Sequence, residues 1–158
     1  MSPLRFDSDG RALTQSVLVE KQSVSRKHDL EHVDEMTKLV AADFNKVWEF
    51  LRKIKAIKEG FNQPVDIKAA PRWSLARHRK AQYNQQTRTV VIGFDQDGYS
   101  RNSIVHEALH AAGYVKHKKR LKLPSFDKAY RFRSSETLDE ISPILCKAIF
   151  GEEHQVKL

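Results

Sequence analysis

From Asp29 onward, Leu30, Val33, Met36 or Thr37, Val40, Phe44, Val47, Trp48, Leu51 and Ile54 recur at steps of three and four residues. Only a helix gathers that spacing onto one face, so the stripe predicts a long amphipathic helix ending near Gly60. Beyond Gly60 the period changes. Pro64 precedes Val65-Asp66-Ile67, which reads as a short strand. Ala81-Gln82-Tyr83 and Thr89-Val90-Val91-Ile92-Gly93-Phe94 flank Asn84-Gln85-Gln86-Thr87-Arg88 as two strands joined by a turn. Asp97-Gly98 breaks the chain, and Ser100 is placed to cap a helix with Ile104, Val105, Leu109 and Ala112 as its apolar side, running to about Gly113. A last helical region starts at Ser134 or Ser135 and is re-set at Ser142-Pro143, where proline suits a first helical turn. The expected architecture is α+β, with a long N-terminal helix, a short and mostly antiparallel sheet, a second helix and a C-terminal helix.

The 158 residues fit one domain, or one domain with a tail. Residues 1–28 are polar and lack a helical stripe, with Val17-Leu18-Val19 as a candidate edge strand, and read as an arm ahead of a domain at 29–158. The single cysteine, Cys146, excludes an intrachain disulfide and any multi-cysteine metal site. That points to a reducing, cytoplasmic setting and to Cys146 as a small buried apolar residue. The longest apolar run, Val90 to Phe94, is far short of the roughly 20 residues that span a bilayer. MSPLRFDSDG also lacks the basic start and apolar run of a signal peptide, so no membrane partner is expected.

Net charge is +8, a field that attracts nucleic acid or acidic protein surfaces. The charge concentrates at 116–133, where Lys116, Lys118, Lys119, Arg120, Lys122, Lys128, Arg131 and Arg133 stand against the single acid Asp127. Such a segment is either a solvated loop or a surface that recruits DNA or an acidic protein.

The second helix carries His106-Glu107-Ala108-Leu109-His110. Residues four apart share a helix face and sit about 6 Å apart along its axis, so both imidazoles reach one metal ion. Glu107 lies about 100° around from His106, beside such an ion, where a carboxylate accepts a proton from water. With 7 His among 158 residues, the pattern is expected by chance roughly 0.02 times per chain of this composition, before any helical context is required.

On these five residues the chain resembles the zincin metallopeptidases of the HExxH type, over about residues 29 to 150. The resemblance implies a Zn2+ cofactor held by His106 and His110, Glu107 as general base, a polypeptide substrate and hydrolysis of peptide bonds. It also implies that the strand before the motif helix, in Thr87–Phe94, binds an extended substrate by β-augmentation. Metzincins continue as H-E-x-x-H-x-x-G-x-x-H. Gly113 matches the glycine, but Lys116 stands where the third histidine belongs and His117 comes one residue late. Gluzincins and the small ImmA/IrrE-like peptidases take a glutamate from a later helix as third ligand, and Ser135-Glu136-Thr137-Leu138-Asp139-Glu140 offers one. On that pattern Glu136 is the third ligand and Glu140 orients a ligating imidazole, with Glu140, His117 and His154 as alternative ligands. HEALHAAGY is similar to the style of the SprT or Spartan group of DNA-linked proteases, whose downstream glycine-containing histidine signature is absent. Tyr114 and Tyr130 are candidate oxyanion donors or core residues, and Trp48 and Trp73 are assigned to packing. A reading of another class is a regulator that binds nucleic acid or protein on the same fold without cleaving, but the base beside two ligands argues for catalysis.

Overall fold

The computed structural model describes residues 26–114 and 137–157. Residues 1–25 of the arm expected at 1–28, the basic segment 116–133 and Glu136 lie outside the described residues. Residues 26–31 are helical, and the chain already packs there: Trp73 donates from Nε1 to Asp29 at 2.9 Å, and the Arg26 guanidinium sits 4.8 Å over the Trp73 ring.

Helix α1 (Val33–Lys53) buries Met36, Val40, Phe44, Val47, Trp48 and Leu51, most of the stripe expected from the sequence, with Trp48 stacked on Phe44, whereas Leu30, expected in the same stripe, is exposed. It stops at Lys53, well before Gly60. Lys55 takes a left-handed φ of 57°, and the chain turns back so that Ala56 N–H donates to the Leu51 carbonyl and Lys55 N–H to that of Arg52. This is a Schellman turn with lysine where glycine is usual, and the fully buried Ala56 beneath it offsets the backbone strain.

Strand β1 (Asp66–Pro71) leads through two 3-10 turns (Arg72–Ser74 and Ala76–His78) to β2 (Ala81–Asn84) and β3 (Thr89–Phe94). The sheet order is β1-β3-β2, which corrects the expectation of a mostly antiparallel sheet. The β2–β3 hairpin is antiparallel over four pairs, but β1 runs parallel to β3 over six, from Asp66 opposite Thr89 to Pro71 opposite Phe94. Alternating burial fixes β3 as the central strand, with Val90, Ile92 and Phe94 in the core. The outer edge of β1 is covered by α1, since Thr37 Oγ1 accepts the Ala69 N–H at 3.2 Å.

A short β4 (Tyr99–Ser100) pairs with β5 (Gln155–Val156) and delivers the chain into α2 (Arg101–Ala111). Ser100 occupies the cap position without a side-chain cap bond. The start of α2 is instead pinned through Arg101, whose Nε and second guanidinium nitrogen reach the two Asp43 carboxylate oxygens at 3.0 and 3.3 Å, and whose N–H donates to the His154 carbonyl. Tyr99 donates to the same carboxylate at 2.6 Å, and burial pushes its hydroxyl pKa well up.

Helix α3 (Leu138–Phe150) packs on α2 and runs without a break through Pro143, which corrects the expected re-set at Ser142-Pro143. Proline there removes one backbone bond, and burial of Leu138, Ile141, Leu145 and Cys146 holds the helix regardless. Cys146 is buried, as expected, which pushes its thiol pKa up, and its Sγ lies 3.9 Å from His154. Among the described residues no helix is long and apolar enough to cross a membrane.

Candidate metal centre and cleft

Helix α2 brings His106 and His110 onto one face, with ring centroids 4.9 Å apart and planes at 72°. Two imidazoles on one tetrahedral zinc, at Zn–N of about 2.0–2.1 Å, place their centroids roughly 5 Å apart, so the pair has the spacing a shared ion requires.

The tautomers fit as well. His110 Nδ1 lies 2.7 Å from the Tyr114 carbonyl, which can only accept, so Nδ1 carries the proton and Nε2 the lone pair that a metal takes. The end of α2 builds this contact. Gly113 adopts φ 109°, Tyr114 N–H donates to the Leu109 carbonyl and Gly113 N–H to that of His110, a second Schellman turn that folds the Tyr114 carbonyl back onto the ring. Tyr114 is then locked by its hydroxyl, which donates to the Ala56 carbonyl at 2.7 Å, and burial pushes that hydroxyl up to about 12. Of its two candidate roles, Tyr114 therefore takes the core one. Tyr130 lies outside the described residues.

His106 Nδ1 lies 3.3 Å from Asp139 Oδ1, a carboxylate from the first turn of α3. A partner of this kind orients a ligating imidazole and raises its basicity. The sequence assigned that part to Glu140, which is exposed and lies about 100° further round α3.

Glu107 projects from the same helix and is only 6% exposed. Burial pushes its carboxyl up to about 7, against a smaller opposite pull from Arg79. It lines a cleft of about 260 Å³ together with His106, Asn102, Ser103, Arg79, Lys80 and Ala81. Asn102 Oδ1 is buried there with no hydrogen-bond partner among the described residues.

The remaining candidates sit elsewhere. His154 contacts Cys146 and Glu152 beside the start of α2, and His117 lies outside the described residues. Among the described residues no group of three or more His, Cys, Asp or Glu side chains is arranged to hold a metal ion. His106 and His110 are two donors, and Glu136, the expected third, directly precedes the point where the described residues resume. Strand β3 cannot receive a substrate strand, as the resemblance implied, because β1 and β2 occupy both its edges. The edge that borders the cleft is β2, through Ala81. Nothing local in the sequence marks Arg79, Lys80 and Asp139 as site residues, because only the fold carries them to α2. Comparison with protein-family models, curated proteins and solved structures finds no match.

Proposed function

We propose that the chain is a zinc-dependent metallopeptidase that hydrolyses peptide bonds. The observation that carries the proposal is the pair His106 and His110, spaced for one ion with each Nδ1 on an oxygen acceptor, beside the buried carboxylate of Glu107.

His106, His110 and Glu136 would hold the zinc, with Asp139 and the Tyr114 carbonyl fixing the two rings. When bound, the ion supplies a Lewis acid that polarises the scissile carbonyl and makes a neighbouring water more acidic. Glu107 accepts a proton from the attacking water and returns it to the departing amine. Burial, which raises its pKa to about 7 in the metal-free chain, makes it a more basic carboxylate than an exposed one. The outer edge of β2, unpaired among the described residues, offers backbone groups to an extended substrate. Bonded pairs alternate in an antiparallel ladder, and Gly93 N–H already donates to the Lys80 carbonyl. Ala81 and Tyr83 therefore turn their N–H and C=O outward, where a substrate strand can pair.

Incubating the zinc-loaded chain with denatured proteins and a mixed peptide library tests the proposal. Glu107→Gln keeps the side-chain shape but cannot take the proton, so cleavage falls by roughly 10²–10⁴-fold with zinc retained. Near wild-type turnover in that variant would remove Glu107 from the mechanism, and absence of cleavage by the zinc-loaded wild type would overturn the peptidase reading.

A further inference from the structure

We infer that the cleft selects substrates carrying a carboxylate beside the scissile bond, and that Arg79 and Lys80 are the residues that recognise it. The inference rests on the peptidase reading above and deepens it to a class of substrate.

Residues 72–80 contain Arg72, Arg77, His78, Arg79 and Lys80 and no acid. Arg72 is committed within the loop, to the His78 carbonyl at 3.0 and 3.2 Å and to Asp95 at 3.4 Å. Arg79 and Lys80 are exposed and line the same cleft as His106 and Glu107. No carboxylate among the described residues lies within ion-pair distance of either.

Their place on that wall is set by backbone. Lys80 accepts from Gly93 N–H at 2.8 Å, and Arg79 N–H donates to the Ala76 carbonyl at 3.3 Å. A Cβ at residue 93 would come within 2.7 Å of the Arg79 carbonyl, so only glycine lets the loop lie this close to β3. Two cations are thus anchored at the beginning of β2, immediately before the outward-facing backbone of Ala81. A polypeptide paired with that edge runs past both.

The cleft also contains the Glu107 carboxylate, which would repel an acidic side chain from a site without cations. Arg79 lines the same cleft as Glu107, and its positive charge offsets that repulsion. A nucleic acid lacks the amide backbone that a strand edge pairs with, and a volume of about 260 Å³ accepts one or two side chains and not a duplex. The recognised carboxylate belongs either to an Asp or Glu side chain or to a substrate C-terminus, and one experiment separates these.

The test uses the zinc-loaded full chain and short peptides blocked at both ends that differ only in carrying Asp, Asn or Lys at each position. A neutral peptide with a free C-terminus completes the set. Cleavage is measured with the wild type, and binding by fluorescence anisotropy with Glu107→Gln. Asp peptides are expected to bind and be cleaved on the order of tenfold better than Asn peptides, the scale of one charge-assisted hydrogen bond. The double variant Arg79→Glu/Lys80→Glu should reverse the order in favour of Lys peptides, and Arg79→Lys should keep it. Preference for the free C-terminus over blocked Asp peptides would support the inference and assign the carboxylate to the chain end. Equal treatment of Asp, Asn and Lys peptides, or a preference unchanged in the double variant, would overturn it. Charge-dependent binding without any cleavage would sink the peptidase reading and keep only the recognition of a carboxylate by Arg79 and Lys80, whereas neither binding nor cleavage would sink both. An oligonucleotide whose binding alone is lost in the double variant would assign the cations to nucleic acid and overturn the inference.

Discussion

Two polar clusters involve helix α2, one at its start and one along its cleft side. At its start, Asp43, Tyr99 and Arg101 form a network in which both carboxylate oxygens accept, the hydroxyl donates and the guanidinium also reaches the Glu153 carbonyl at 3.0 Å. On the face toward the cleft, Glu107 is as deeply buried as Asp43 yet makes no hydrogen bond or ion pair among the described residues, and the buried Asn102 Oδ1 has no partner. Folding alone selects satisfied polar groups. A network that closes on itself therefore reads as structural, and one left open reads as waiting for a ligand.

The largest effect that would break this contrast is expected at Asp43. Asp43→Ala leaves Arg101 and Tyr99 facing an empty position, at a cost of about 3–5 kcal/mol in a denaturant titration. A loss below about 1 kcal/mol would show that the network is not what pins α2.

Glu107 should behave in the opposite sense. Its folded pKa is raised from 4.5 to about 7, so the metal-free fold prefers the protonated form. Its favourable share is intact below about pH 4.5 and is lost as pH rises through 7. Glu107→Gln stays neutral throughout, so in chelator-treated protein at pH 8 it should be more stable than wild type by about 3 kcal/mol, with the gap closing toward pH 4. Thermal unfolding of both proteins across that range checks it. A gap independent of pH would mean that Glu107 is not held in an unfavourable setting.

Asn102→Leu gives the smallest effect, a gain of about 1 kcal/mol from removing an unsatisfied acceptor without opening a cavity. The denaturant midpoint should rise with an unchanged slope. A fall would mean that Asn102 contributes to the fold and does not await a ligand.

The two Schellman turns show what the sequence makes legible. The end of α2 is readable because Gly113 supplies the left-handed residue that the turn needs, and the H-E-x-x-H pattern inside the helix exposes the two histidines and the carboxylate between them. The end of α1 is hidden, since Lys55 does the same work and only the buried Ala56 reveals why it is tolerated. The β2–β3 hairpin announces itself by local alternation, whereas the parallel pairing of β1 joins residues more than twenty apart and leaves no local mark. Asp139 and Glu140 are equally acidic neighbours, and which one meets His106 depends on how α3 is rotated against α2. The cleft wall of Arg79 and Lys80 depends on a close approach to Gly93 that no periodicity encodes.

The most direct test of the central claim is the zinc content of the purified full chain after mild chelation, measured by elemental analysis beside His106→Ala and His110→Ala. About one zinc per chain is expected in the wild type and a large loss in both variants, with each variant still folded by circular dichroism. Equal zinc in all three proteins, or none in a folded wild type supplied with the metal, would contradict it.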